Sequence, residues 1–278
     1  MKNGLYIIAT PIGNLGDISA RAVETLKEAP VIACEDTRVT KKLFSLLGIS
    51  LKKTFITLHD HNEDEQAQKL IDAVQNEQQA VALVSDAGSP LISDPGYKLI
   101  RRCREQGVYI TVLPGACALI CALQLSGLPT NKFMFAGFIP NKDKARIELF
   151  KSYAALDATV VYYETAPRIL KTLAAAKEVF GGRELAVVRE ISKIYEECLN
   201  GTAEDLMAHF SEKEPKGEFV FMVAPAEEKS RTPMEIEELL REKLLQMSLK
   251  SAVKALADDY NLNKNDVYEL ALKIKNEK

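Results

Sequence analysis

The sequence is poor in the residues that most often hold metals, and it has no long apolar run at its start. Three histidines occur in 278 residues, and only His59 and His61 stand close together, which argues against a zinc site. The five cysteines, Cys34, Cys103, Cys117, Cys121 and Cys198, are odd in number and lie mostly in apolar segments. That pattern fits reduced, buried thiols in a cytosolic protein rather than a disulfide framework. The opening MKNGLYIIATPIGN reaches proline and glycine after a short apolar core, too short for a signal peptide or a membrane span, so a cytoplasmic protein with no membrane attachment is expected. A net charge of −3 and a pI near 5.8 give no whole-chain basic field, and any nucleic-acid contact must come from local patches. Neither G-x-G-x-x-G nor G-x-x-x-x-G-K-[ST] is present, which weakens dinucleotide binding and nucleoside triphosphate hydrolysis as functions.

What is present is alternation. Short runs rich in Val, Ile and Tyr (LYIIA, VIAC, TFITL, AVALV, YITVL) are each followed by a segment of helical period, ending with ACALICALQLSG. Five β-α units of this kind imply an α/β fold with a mostly parallel sheet. After SGLPTNK the rhythm restarts with FMFAGFI, KARIELFKSYAAL, ATVVYYE, RILKTLAAAKEVF, ELAVVRE, AEDLMAHF and EFVFMVA. The pair VVREISKIYEECLNG breaks strict alternation and reads as neighbouring strands, so the second sheet is expected to be mixed. From Ala226 no strand-like run remains. Apolar residues at helical spacing (Ile236, Leu239, Leu240, Leu244; Ala252, Val253, Leu256, Ala257; Val267, Leu270, Ala271, Ile274) predict three helices, the last two joined by the polar DDYNLNKND in a helix-turn-helix-like shape. Ser248 to Lys278 holds six lysines against five acidic residues, so no strong basic stripe marks it as a DNA reader. The predicted domains are 1–115, 116–225 and 226–278.

In parallel α/β sheets ligands collect beyond the carboxyl ends of the strands, where loops and helix N-termini offer free N–H groups. The loops to read are therefore ATPIGNLGD, CEDTR, SDAGSPLISDPG, LPGA, YETAPR and REIS. In the first, Asp17 or Ser19 can cap the next helix. In SDAGSPLISDPG, Asp94 can cap a helix that begins with Pro95, and Gly107 can end that helix. Capping leaves Asp86-Ala-Gly-Ser-Pro unexplained: Gly88 allows close approach to the backbone, and Ser89 with Asp86 offers acceptors suited to an amino group or ribose hydroxyls. CEDTR reads equally well as a capped helix start with a local ion pair or as an Asp36–Arg38 site in which arginine binds phosphate and a carboxylate accepts a proton. YETAPR and REIS add Glu164, Arg168, Arg189 and Glu190 at strand ends.

Taken together, LYIIATPIGNLGDIS, VIACEDTR, LVSDAGSPLISDPG, VLPGACAL, FAGFIP, YYETAPRI and GEFVFMVAP resemble the small-subunit ribosomal RNA (cytidine-2′-O-)-methyltransferase I family of the tetrapyrrole-methylase superfamily, from Leu5 to Pro225. The resemblance implies two α/β domains of the tetrapyrrole-methylase type with S-adenosyl-L-methionine in the cleft between them, plus a small C-terminal helical domain. It implies methylation of a cytidine ribose 2′-hydroxyl in 16S rRNA of the small ribosomal subunit near the decoding centre, with no metal. The cofactor residues it implies are Pro11, Ile12, Gly13, Asp86, Gly88, Ser89, Pro90, Ile92, Ala116, Cys117 and Tyr163. Ser89 stands where the superfamily's G-D-P loop has aspartate, and Asn141 where a basic residue is the family form. Catalytic roles fall to Asp36 or Glu164 as proton acceptor, and to Arg38, Arg168 and Arg189 as holders of rRNA phosphate or base. A tetrapyrrole or other small acceptor on the same fold, and a non-catalytic ribosome-assembly RNA-binding factor, are the alternatives; a homodimer is compatible with the sequence.

Overall fold

A computed structural model describes residues 1–59, 61–212, 215–226, 233–260 and 262–276. Asn261, inside the expected polar turn near the C-terminus, and 227–232 lie outside the described residues. Contacts divide the chain into two compact units, Met1–Ala226 and Glu227–Lys278.

The larger unit holds two five-stranded sheets. The first is entirely parallel, in the order β3 (Thr54–Thr57), β2 (Val31–Cys34), β4 (Ala80–Val84), β1 (Gly4–Ile8), β5 (Ile110–Leu113). Its central strands are apolar on both faces because both are covered. On one face Ile8, Ile32 and Ala82 pack against Ala22 and Leu26 of α1 (Ala20–Glu28) and Phe44 of α2 (Thr37–Leu46). On the other, Leu5, Val81 and Leu83 pack against Leu70 and Ile71 of α3 (Glu63–Gln75) and Leu99 and Cys103 of α4 (Tyr97–Glu105). The chain leaving β1 therefore turns to one face and the chain leaving the adjacent β4 turns to the other. That divergence opens a crevice between their carboxyl ends, where ligands settle in open α/β sheets.

The second sheet is mixed, in the order β6 (Phe133–Phe138), β7 (Thr159–Thr165), β10 (Glu218–Val223), β8 (Leu185–Arg189), β9 (Glu197–Gly201). Only β6 and β7 run parallel, and the expected neighbouring pair is β8 with β9, antiparallel from Leu185↔Gly201 to Arg189↔Glu197. Alternation divides the side chains cleanly. Val160, Tyr162, Leu185, Val187, Phe219 and Phe221 meet α6 (Asp143–Tyr153), α7 (Ile169–Phe180) and α8 (Ala203–Glu212), whereas Val161, Ala186, Val188, Val220 and Met222 meet α5 (Ala118–Ser126). Phe150 is fully buried on the three-helix face, its ring 5.2–5.8 Å from those of Tyr162, Phe180 and Phe221.

Local chemistry sets the helix starts. Ser19 caps α1 by accepting from Ala22 N–H, and Asp36 caps α2 by accepting from Arg38 N–H. The expected Asp94 cap is corrected: α4 begins at Tyr97 behind Gly96, with no side-chain cap. Leu91 and Ser93 take positive φ values of 71° and 65°, and this winding carries the chain past Pro95 before the helix starts. Gly107 follows the end of α4 as expected, its N–H donating to the Arg104 carbonyl.

The smaller unit is three helices, α9 (Pro233–Gln246), α10 (Leu249–Asp259) and α11 (Lys264–Asn276), around Ile236, Leu240, Ala252, Leu256, Val267 and Ala271. No helix among the described residues is long and apolar enough to cross a membrane.

Because Phe150 fills a closed aromatic cluster, Phe150→Ala is expected to lower unfolding free energy by about 3–5 kcal/mol. Urea denaturation followed by circular dichroism measures it.

Candidate functional site

The crevice predicted by topology is closed below by backbone. Beyond the paired part of β1 and β4, Thr10 N–H donates to the Gly88 carbonyl at 2.9 Å and Gly88 N–H returns a bond to the Thr10 carbonyl at 3.1 Å. The buried Thr10 hydroxyl donates to the Ser85 carbonyl at 3.1 Å. Two further contacts pull in the neighbouring loops: Ser89 Oγ donates to the Ala116 carbonyl at 2.9 Å, and Asp36 N–H donates to Asp86 Oδ1 at 3.1 Å. Loops after β1, β2, β4 and β5 are thus tied into one floor.

Above that floor lies a cavity of about 380 Å³, with walls from both sheets. From the first sheet come Ile12, Glu35, Asp86, Gly88, Ser89, Ile92 and Asp94; from the second come Phe138, Tyr163, Glu164, Glu190, Lys193 and Glu218, with Cys117 at the start of α5. Ile12, Asp86, Gly88, Ser89, Ile92, Cys117, Tyr163 and Glu164, all singled out in the sequence, therefore line one space. Pro11, Gly13, Pro90 and Ala116 stand behind the lining. Ala116 acts through its carbonyl, which holds Ser89. Gly13 acts through its lack of a side chain, because a Cβ there would come within 2.8 Å of the Ile191 carbonyl and 2.5 Å of Lys193 Cγ.

The expected catalytic charges are differently placed. Asp36 and Arg38 are not in the cavity wall. Arg38 Nη2 lies 2.6 Å from Asp36 Oδ2, and its hydrogen bonds hold the Asp36 carboxyl down near 2. Such a carboxylate is a weak base, and the Arg38 side chain is 89% exposed. Arg189 also lies outside the lining, 2.5 Å from Glu197. Glu164 belongs to the cavity wall, but its carboxylate is fully buried: it accepts from Thr165 N–H at 2.7 Å and Thr172 Oγ1 at 2.5 Å, and pairs with Arg168 at 2.6 Å.

Two carboxylates in the same wall behave differently. Burial pushes Asp86 above the usual carboxylate range against the pull of the Asp36 N–H that bonds it, and burial does the same to Asp94, which is hydrogen bonded to Ser85. Burial also pushes the Tyr163 phenol up to about 12. Asp94 was read from sequence as a helix cap; only the wound backbone around Leu91 and Ser93 turns it into the cavity.

The opposite rim is a three-charge cluster. Lys193 Nζ bonds Glu190 Oε1 at 2.9 Å and Glu218 Oε2 at 3.2 Å. Burial alone would raise Glu190, yet Lys193 and the Glu218 N–H prevail and hold it below its ordinary value. Glu190 and Ser192 have positive φ values of 51° and 65°, and Ser192 Oγ donates to the Asp17 carboxylate of the first loop. Lys193 and Glu218 were missed in the sequence. Glu218 starts a strand, and β10 runs antiparallel to β7 and β8, so its beginning arrives beside their carboxyl ends. Among the described residues no three His, Cys, Asp or Glu side chains gather as a metal site.

This pair of sheets, with a glycine- and serine-lined crevice facing a mixed sheet, is that of a methylase. The tetrapyrrole (corrin/porphyrin) methylase model matches residues 4–207, and the chain belongs to that family. A second model, described as the RsmI C-terminal HTH domain, matches 231–275. Curated relatives carry the name ribosomal RNA small subunit methyltransferase I. That of Erythrobacter litoralis is 49% identical, covering 99% of this chain and 96% of its own, and that of Synechocystis is 42% identical, covering 97% and 98%. Among solved structures, diphthine synthase has a TM-score of 0.61 at 15% identity, covering 79% of this chain and 89% of its own. A cobalt precorrin-4 methyltransferase has a TM-score of 0.56 at 16%, covering 79% and 94%. At those identities the likeness is one of fold.

Gly13 lies against the second sheet's loop, so Gly13→Ala is expected to cost about 1–3 kcal/mol through overpacking. Gly182→Ala, which meets nothing within 4 Å, should stay within about 0.5 kcal/mol in the same denaturation assay.

Proposed function

We propose that this chain transfers the methyl group of S-adenosyl-L-methionine to the ribose 2′-hydroxyl of a cytidine in small-subunit (16S) rRNA, acting in the cytoplasm. The observation that carries the reading is the cavity between the two sheets, in a chain similar over nearly its full length to relatives named for small-subunit rRNA methylation. The fit to the donor rests on space: a Cβ at Gly88 would stand 3.2 Å from Ile12 Cγ2 and 3.7 Å from the Ala116 carbonyl, so the wall is a cradle kept open by a missing side chain. Ile12, Gly88, Ser89, Ala116 and Cys117 are the residues proposed to hold it, with Asp86 accepting from its amino or ribose groups and Pro11, Gly13 and Pro90 shaping the loops. When bound, the donor supplies an already activated sulfonium methyl. What remains for the protein is positioning and removal of one proton.

Asp36 and Glu164 were the sequence's candidates for that proton. Asp36 is held acidic by Arg38, and the Glu164 carboxylate is fully buried and held by three partners. Asp94 is the better acceptor: it lines the cavity, and its raised pKa brings its basicity closer to neutral pH. Arg38, the most exposed of the candidate arginines, suits a phosphate at the rim, while Arg168 and Arg189 position Glu164 and the β8–β9 pair. Exposed Ile120 and Phe133 line one shallow apolar depression compatible with a homodimer.

Methyl transfer to small subunits from a strain lacking the gene is expected to label rRNA, and nuclease digestion should recover the label as a 2′-O-methylcytidine. Label on a tetrapyrrole with none on rRNA, or donor binding without any transfer, would select one of the two alternatives. A base must be deprotonated to work, so kcat should rise with pH through the raised Asp94 pKa and then level. Asp94→Asn should lower kcat by about 10²–10⁴, remove that rising limb, and leave donor affinity unchanged. Loss of donor binding instead would make Asp94 a binding group.

A further inference from the structure

Two aromatic rings of one face of the second sheet stand at the cavity, and they are not equally covered. Tyr163 is half-buried, but Phe138 is 54% exposed. A large apolar ring open to water beside a cavity is a surface that a flat group can cover with a gain in free energy.

The strand is built irregularly to put it there. In the β6–β7 register Phe135 stands opposite Val161 and Phe138 opposite Tyr163, so β6 advances three residues while β7 advances two. Under strict alternation, side chains three apart point to opposite faces. The extra residue, with Gly137 at φ 72° and nothing within 4 Å of the place its Cβ would occupy, returns Phe138 to the face that carries Val161 and Tyr163. Phe135 and Phe138 then meet Tyr163 edge-on, at 4.8 Å and 5.4 Å between centroids. Bulges that re-aim a side chain are a recurrent device beside active sites. Here the device presents a braced but uncovered ring.

Position argues for the acceptor rather than the donor as the covering group. The cradle proposed for the donor is on the first sheet's loops and the start of α5, whereas Phe138 ends an edge strand of the second sheet. We propose that Phe138 stacks on the base of the acceptor nucleotide, holding that nucleotide with its ribose turned toward the Gly88–Ser89 loop. The proposal rests on the rRNA reading above. Chemically it needs a planar, unstacked base, which is what a protein reaching one ribose in folded RNA must draw out.

The test compares Phe138→Ala, Phe138→Leu and Phe138→Tyr with the wild type, using small ribosomal subunits lacking the modification as acceptor and S-adenosylhomocysteine as calorimetric probe of the donor site. Loss of one base–aromatic stack predicts that Ala and Leu raise KM for the subunit about ten- to a hundredfold, with Tyr within about threefold of wild type. Probe affinity should be equal in all four proteins, which also reports that each is folded. A Leu variant as effective as wild type would show that no ring is needed and overturn the proposal. So would a probe affinity that falls in step with activity, which would assign the ring to the donor. If the wild type itself labels no rRNA, the rRNA reading falls first and the stacking role with it.

Discussion

Everything at the candidate site hangs on the pair of backbone hydrogen bonds between Thr10 and Gly88. They form where two adjacent parallel strands send their chains to opposite faces of the sheet, so there is no helix above to fill the gap and no further strand to close it. The bonds form an isolated antiparallel bridge just past the parallel β1–β4 pairing and turn an opening into a floor. Ser89 can then reach the Ala116 carbonyl, and the loop after β5 is fixed by the same stroke. Because these bonds use main-chain atoms, they leave side chains free for chemistry and demand only that Gly88 tolerate φ 83°.

Much of the fold was legible because periodicity reports burial. The first sheet's central strands β2 and β4 are continuous apolar runs with both faces covered, and VVREISKIYEECLNG marked neighbouring strands by lacking a helix between them. The first-sheet half of the site was legible for a related reason: glycine, serine and proline after a buried strand have few purposes besides a turn or a close approach. Asp94 escaped because its meaning depends on φ values at Leu91 and Ser93 that no residue type there demands. Glu218 escaped because loops after strands suffice only for a parallel sheet, and β10 arrives reversed. The charges at CEDTR and YETAPR were visible, but pairing decides whether a carboxylate is a base, and pairing is set by rotamers rather than by order along the chain.

The two sheets contribute different physics to the shared cavity. The first offers backbone, small side chains and carboxylates whose charge burial disfavours. The second offers aromatic surface and a lysine held between two glutamates. A cationic, flat-ringed donor and a hydroxyl acceptor attached to a base need such unlike walls.

Among the described residues, four of the five non-glycine residues with positive φ, Leu91, Ser93, Glu190 and Ser192, lie on the two loops that face each other across this cavity. Each such conformation carries on the order of 1–3 kcal/mol that the surrounding structure must supply. The loops are thereby tensioned against the cores beneath them, and the shape of the cavity is kept by the same energy that lowers the stability of the whole. Glycines introduced at these positions would release the tension and favour the folded chain, yet leave the walls free to wander. For this architecture the route to a hardier protein and the route to a better catalyst separate at those four backbone angles.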